Sequence, residues 1–451
     1  MKKPQAFRIL KSTILAAFLS LPFSVSAKDN GGSWLLTTVS MIDVESGDVK
    51  PDTSIWVKDG VIVAVNPKSL PYGIKKVSGE GRWLISGLSE MHAHIGGNEA
   101  FNDRILKLFI AHGVTNIRGM LGRRSHLDLR TALNSGEKLG PYLVTSGPSI
   151  NGNSVRTPAE AKRKITAQVK AGYDFHKIHP GLSKASYQAV VETARELGSS
   201  WAGHISADVG IIDTLKTGQA SIDHTDGFVE ELARRNGGDL AKRGFFGFGL
   251  VDKVSEESIP KFVNQLSQFQ SAIVPTEVLM HHYAGNKTTD ELMSNPAHKW
   301  MPEDTVQGWK NRRENFWSND SVTKAQAEKF LTVRSLLLQE FQKQGVPILS
   351  GSDAPQLFNV PGDSLHKELK LMVDSGLTPL EALQTSTKNI FEFYQGKHPV
   401  GKITKGLRAD LVLLDKNPLE NINNTRAIHA VVVGGKMLDR NQLNAMLKSL
   451  E

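Results

Sequence analysis

Apolar and polar positions follow two different periods along this chain. Near the N-terminus the spacing is short. Ser33–Val39, Ser54–Val57 and Val61–Val65 read as strands, with Lys58-Asp59-Gly60 turning between the last two. Leu411–Leu414 and Ala430–Val433 repeat that character near the C-terminus, and Gly434-Gly435 follows as a turn. Between these ends, short apolar runs alternate with longer amphipathic ones. The predicted strands are Trp83–His92, Val114–Arg118, Tyr142–Thr145, Asp174–His179, Ser200–His204, Ala220–His224, Ala272–Thr276 and Val346–Asp353. Helical spacing fills most of the gaps, as in Pro158–Ala171, Ser183–Leu197 and Ala325–Gln344. This alternation predicts an α/β fold: a closed (β/α)₈ TIM barrel over residues 86–401. Residues 28–85 and 402–451 are expected to join as a small β-sandwich domain made from both termini. The stretch Glu277–Asp320, which holds His281, His282, Trp300, Trp309 and Trp317, is long for a connection after a strand and is expected to form a lid.

Residues 1–27 break the pattern. Lys2, Lys3, Arg8 and Lys11 precede an apolar run from Thr13 to Val25, and Val25-Ser26-Ala27 ends it as a small-residue cleavage site. That order predicts a signal peptide cut after Ala27 and a periplasmic or secreted product. The run is interrupted by Ser20, Pro22 and Ser24 and is too short to span a bilayer, so no stable membrane span is expected after cleavage. Removing four basic residues and no acidic one lowers the net charge from +8 to +4. With no run of like charge, nucleic acid is not an expected partner. The chain has no cysteine, which excludes disulfides and thiol chemistry.

The candidate chemistry sits at strand ends. His92 and His94 are i and i+2 on the first barrel strand and share a face, so both imidazoles can reach one ion. His204, His224 and Asp353 each close an apolar strand, at the end where barrel enzymes carry their active groups. This His and Asp set suits Zn²⁺ or a similar ion. Lys177 closes the fourth strand in Asp174-Phe-His-Lys-Ile178. Beside cations it makes chemical sense as an anionic carbamate formed with CO₂; a substrate-binding or ion-paired lysine is the alternative. His179 shares the face of Lys177 and is expected to touch substrate, whereas His176 points the other way and is expected to pack between barrel and helices. Arg118, at the second strand end, is expected either to contact substrate or to serve as an internal ion-pair partner.

Taken in order, these motifs resemble the amidohydrolase superfamily, in particular its imidazolonepropionase-like branch with the metal-dependent Xaa-Pro dipeptidases. The matching pieces include Gly87-Leu-Ser-Glu-Met-His-Ala-His94, Gly113-Val-Thr-Asn-Ile-Arg118, Ser221-Ile-Asp-His224, Val274-Pro-Thr276, Gly351-Ser-Asp353, Gly376–Leu383 and Gly401–Leu411. The resemblance implies one or two divalent ions. It implies that Lys177 is carboxylated and bridges them, that His92 and His94 hold the more buried ion, and that His204 and His224 hold the other. Asp353 would bind the buried ion and move protons. Two positions depart from the pattern. Glu90 stands where the family usually has Asp, and Asn151-Gly152-Asn153 stands where many dipeptidases have Gly-Gly-His.

The function expected is an exported amidohydrolase that cleaves a C–N bond of a small molecule, such as a dipeptide or N-acyl amino acid, with a metal-activated hydroxide. A cyclic-amide or ester hydrolase with the same metals is the alternative; a deaminase or a non-catalytic binding protein ranks below it. An oligomer is left open.

Overall fold

The computed structural model describes residues 32–318 and 322–451. The expected signal peptide lies outside the described residues. Among them, no helix is long and apolar enough to cross a membrane.

Five strands come first: β1 (Ser33–Ile42), β2 (Val49–Lys58), β3 (Val61–Val65), β4 (Lys75–Ser78) and β5 (Trp83–Ser86). The central strands are β6 (Leu88–Ala93), β7 (Val114–Gly119), β8 (Tyr142–Thr145), β9 (His176–Ile178), β10 (Trp201–Gly203), β11 (Ser221–Asp223) and β12 (Ala272–Val274). The last three are β13 (Leu411–Leu414), β14 (Ile428–Val433) and β15 (Lys436–Asp439).

Both ends of the chain build one sheet, in the order β15-β14-β13-β5-β1-β2-β3, with β4 beside β1. Its seam is the antiparallel pairing of β5 with β13, in register Ile85↔Val412. The sheet curls so that the β3 edge meets the stretch before β13: Ile62 N–H donates to Leu407 O, and Ala409 N–H donates to Gly60 O. Leu36, Ile55, Val57, Leu84, Leu411 and Val432 fill its core.

The central strands form two parallel arcs, β6-β7-β8 and β9-β10-β11-β12. Helices cover the crossings as expected. Pro158–Ala171 is a clear case: Thr157 and Glu160 form a capping box, Pro158 opens the first turn, and left-handed Gly172 closes the last. Met91, Val144, Ala202 and Val274 from the two arcs meet in a shared apolar cluster with Leu349. Single parallel bridges join the arcs, Ser146↔Phe175 on one side, then Ile273↔Ile348 and Ala93↔Ala354 on the other.

The expected strand Val346–Asp353 therefore makes isolated bridges and no ladder. Pro347 has no N–H to give, and Asp353 turns into the left-handed region (φ 62°). Its remaining polar groups are met individually: Ile273 N–H donates to Pro347 O, and Met91 N–H to Ser350 O.

Candidate metal centre

Strand ends bring five imidazoles into a row. Neighbouring ring centroids are 5.3 Å apart for His94–His92, 4.5 Å for His92–His224, 4.6 Å for His224–His204 and 5.0 Å for His204–His179. Asp353 meets the first of these, with Oδ1 2.6 Å from His94 Nε2 and 3.5 Å from His92 Nε2. His92, His224 and Asp353 are buried, and each offers a ligand atom within 4.8 Å of the others. Alternation along β6 explains His92 and His94; parallel pairing of β10 with β11 explains the approach of His204 and His224.

Three of the rings are fixed from behind. His224 Nδ1 lies 2.9 Å from Thr276 Oγ1, His204 Nδ1 lies 2.5 Å from Asp226 Oδ2, and His179 Nδ1 lies 2.8 Å from Ser149 Oγ. His224, Thr225, Thr276 and Asp353 all have positive φ, a conformation seldom adopted by such residues and concentrated at functional sites. Glu90 explains its own departure from the family pattern. Its carboxyl accepts from His92 N–H, Ser352 N–H and Ser352 Oγ–H, so it ties β6 to the segment that carries Asp353.

Burial decides the protonation states. It drives His92 down to about 4, helped by nearby Lys177, and drives His179 down to about 2. His224 falls well below its ordinary value for the same reason, with His92 beside it. These imidazoles are neutral, the form that coordinates metal. Burial pushes the Asp353 carboxyl up, but His92 and His94 outweigh it and hold the group below the usual carboxylate value. His92 Nδ1 makes no hydrogen bond despite its burial, although Asp223 Oδ2 is 3.2 Å away. Neutral imidazoles, an ionised carboxylate and an unspent buried nitrogen fit a first-row divalent ion.

Lys177 is fully buried, and its Nζ lies 3.2 Å from Asp223 Oδ2. Gly203 makes room for it: a Cβ there would stand 2.9 Å from Lys177 Cδ and 2.4 Å from Ile178 O. Asp223 is the residue that sequence reasoning missed. It is wholly buried, next to His224, and receives Arg118 Nη2 at 3.2 Å and Ser221 Oγ at 2.8 Å. A carboxyl in an apolar strand, one residue before a candidate ligand, was the available signal.

Arg118 does not stand on an open wall. Its guanidinium is buried and donates to Met91 O, Ser221 and Asp223, which makes it an internal ion-pair partner. His176 packs where strand alternation puts it, between Gln168 Oε1 and Ser199 Oγ.

A cavity of about 920 Å³ opens beside His204 and Asp226. Its walls come from Pro180–Leu182, from His204, Ile205 and residues 207–213, from one face of the stretch 226–234, and from the connection that runs from Leu240 to Phe246. Among its described residues, the expected lid, Glu277–Asp320, contributes none to this lining. It folds on itself, because Arg313 is buried and donates to the carbonyls of His282, Tyr283, Gly285 and Lys287. Its Tyr283 and Phe316 rings pack on Phe245 at the cavity rim.

Residues 302–438 match the model of the amidohydrolase family. Ochratoxinase of Aspergillus niger is 23% identical over 398 residues, spanning 78% of this chain and 75% of that protein. Among solved structures, a bottromycin amidohydrolase superposes with a TM-score of 0.73 at 20% identity, covering 94% of this chain and 91% of the other. A Xaa-Pro dipeptidase with methionine bound in its active site gives 0.65 at 19% identity, covering 90% of this chain and 100% of the other. The match links residues 302–438 to the amidohydrolase family, which is generally metal-dependent, and the superpositions show that the chain shares the fold of these amidohydrolases. Together these similarities support a hydrolase acting on carbon–nitrogen bonds.

Proposed function

We propose that the protein is an exported metal-dependent amidohydrolase that cleaves the amide bond of a dipeptide or N-acyl amino acid. The observation that carries this reading is the convergence of buried His92, His224 and Asp353, with ligand atoms within 4.8 Å of one another, beside His94 and His204. The two arcs and the bridging segment 346–354 are read as one closed (β/α)₈ barrel over residues 86–401. The sheet from residues 28–85 and 402–451 is its companion domain. Residues 1–27 direct the chain to the periplasm or outside the cell.

His92, His94, His204, His224 and Asp353 would hold one or two divalent ions, zinc by the chemistry of the set, with carboxylated Lys177 between them. Bound there, such ions supply Lewis acidity and lower the pKa of a water. The chain's own residues do the rest. Asp353, held ionised by His92 and His94, takes a proton from the attacking water and returns it to the leaving nitrogen. Asp226 and Thr276 fix the ring orientations of His204 and His224.

A second reading follows from the 3.2 Å contact of Lys177 with Asp223. Here Lys177 stays an ammonium, Asp223 balances it, and a single ion sits among His92, His224 and Asp353. Metal analysis of purified protein, with and without bicarbonate, separates the two. Two equivalents with bicarbonate dependence support the bridged pair; one equivalent without it supports the ion-paired lysine. No bound metal, or no hydrolysis across a library of dipeptides and N-acyl amino acids, refutes the proposal.

A further inference from the structure

The connection between β11 and β12 carries the run Gly244-Phe-Phe-Gly-Phe-Gly249, and its aromatic rings do different work. Phe248 is fully buried and stacks on Phe330 with centroids 3.8 Å apart, which anchors the run to the helix Lys324–Lys343. Phe246 has φ 49°, between Gly244 (φ 64°) and Gly247 (φ 82°). A residue with a large side chain seldom occupies that region without a compensating role. The turn carries its ring to 5.5 Å from His224 and 6.4 Å from His204. Gly247 cannot easily change, because a Cβ there would meet Val229 Cγ1 at 3.0 Å and Glu230 Cδ at 3.1 Å.

Phe245 is the outer member. Its ring is 4.3 Å from that of Phe246 and 5.1 Å from that of Tyr283, yet the residue remains 47% exposed. Both phenylalanines line the cavity beside His204, together with Ile205, Val209 and Leu240. Several carboxylates of that cavity are already engaged: Asp226 by His204, Glu231 by Arg234 and Arg235, and Asp213 by Lys184. Asp208, Glu230 and Arg243 stand beside the apolar wall as the remaining charged groups, and small-molecule sites are built this way, with apolar lining around a few placed polar groups.

We infer that the substrate is an amide carrying an aromatic or bulky branched apolar substituent, which packs against Phe245 and Phe246 while the scissile carbonyl lies at His204 and His224. This rests on the amide-hydrolase reading above. Flat rings suit the site because Phe245 and Phe246 already meet edge to face, and a third ring extends that arrangement.

The test uses the metal-loaded protein with N-acetylalanine, N-acetylphenylalanine and N-benzoylalanine. At least one aromatic member should exceed N-acetylalanine in kcat/KM by about tenfold or more, the scale of discrimination that apolar pockets achieve. In Phe245→Ala, and separately in Phe246→Leu with metal content checked, that ratio should fall to within about twofold of unity. A wild-type ratio near one, or a ratio that neither variant changes, overturns the inference. If none of the three is hydrolysed, calorimetric binding of N-benzoylalanine and N-acetylalanine decides the matter independently of the hydrolase reading. Tighter aromatic binding that Phe245→Ala abolishes upholds the aromatic site, and equal binding overturns it.

Discussion

Arg334 Nη1 donates a 2.7 Å hydrogen bond to the carbonyl of His224. The same guanidinium reaches Pro275 O at 2.6 Å and Glu277 Oε1 at 2.7 Å, so one buried cation clamps the ends of β11 and β12. Behind it, Glu368 accepts from Glu277 N–H and Val278 N–H, and burial together with the Glu277 carboxylate pushes its own carboxyl well above the usual value.

Replacing Arg334 by Met leaves the Glu277 carboxylate buried without its cation. The expected loss is about 3–5 kcal/mol of unfolding free energy, the cost of breaking a buried pair from one side. Urea unfolding measures it, and metal analysis should show weaker retention as His224 loosens. Adding Glu277→Gln should recover part of the stability. A loss below about 1 kcal/mol in the single variant would show that the pair carries little.

Asp353 makes the closest approach to His94 and is assigned the proton transfer. Asp353→Asn keeps an oxygen but cannot take a proton, so kcat should fall by about 10²–10⁴-fold while most of the metal stays bound. Turnover measured beside metal content checks this, and wild-type kcat in the variant rejects the role.

Glu230 gives a pH prediction for stability. Burial, then the neighbouring Asp226, pushes its carboxyl up to about 7 from an ordinary 4.5. Between those values the unfolded chain gives up a proton that the native protein keeps. Stability from this group is therefore full below pH 4.5 and drains away as pH rises to about 7. Glu230→Gln should flatten the fall in urea midpoint between pH 5 and 7. An unchanged slope would assign that fall to other groups.

Much of the centre was legible because it obeys period two. His92 and His94 share a strand face, and the strand-end positions of Lys177, His204 and His224 follow from apolar runs that stop at them. Val346–Asp353 was less legible, because Pro347 and the left-handed Asp353 prevent a ladder that its apolar residues suggest. Asp223 was hidden by its place inside a strand, where a carboxylate is stable only through Arg118 and Lys177 brought from other strands. The cavity wall was not legible for a related reason. The aromatic-rich stretch after β12 looked like a cover, but Arg313 satisfies its carbonyls internally, and the glycine-spaced Gly244–Gly249 run has no periodicity to reveal where its rings go.

The seam between β5 and β13 sets an order on biosynthesis. β5 has β1 on one side from the start, but its other edge stays bare until residues 411–414 arrive, more than three hundred positions later. Folding that begins before residues 411–414 are in place therefore leaves an open β edge, the kind that invites mispairing with other chains. Clipping the last few dozen residues would strip the cover from the first strands made, so a C-terminal nick should damage the opposite terminus as much as its own.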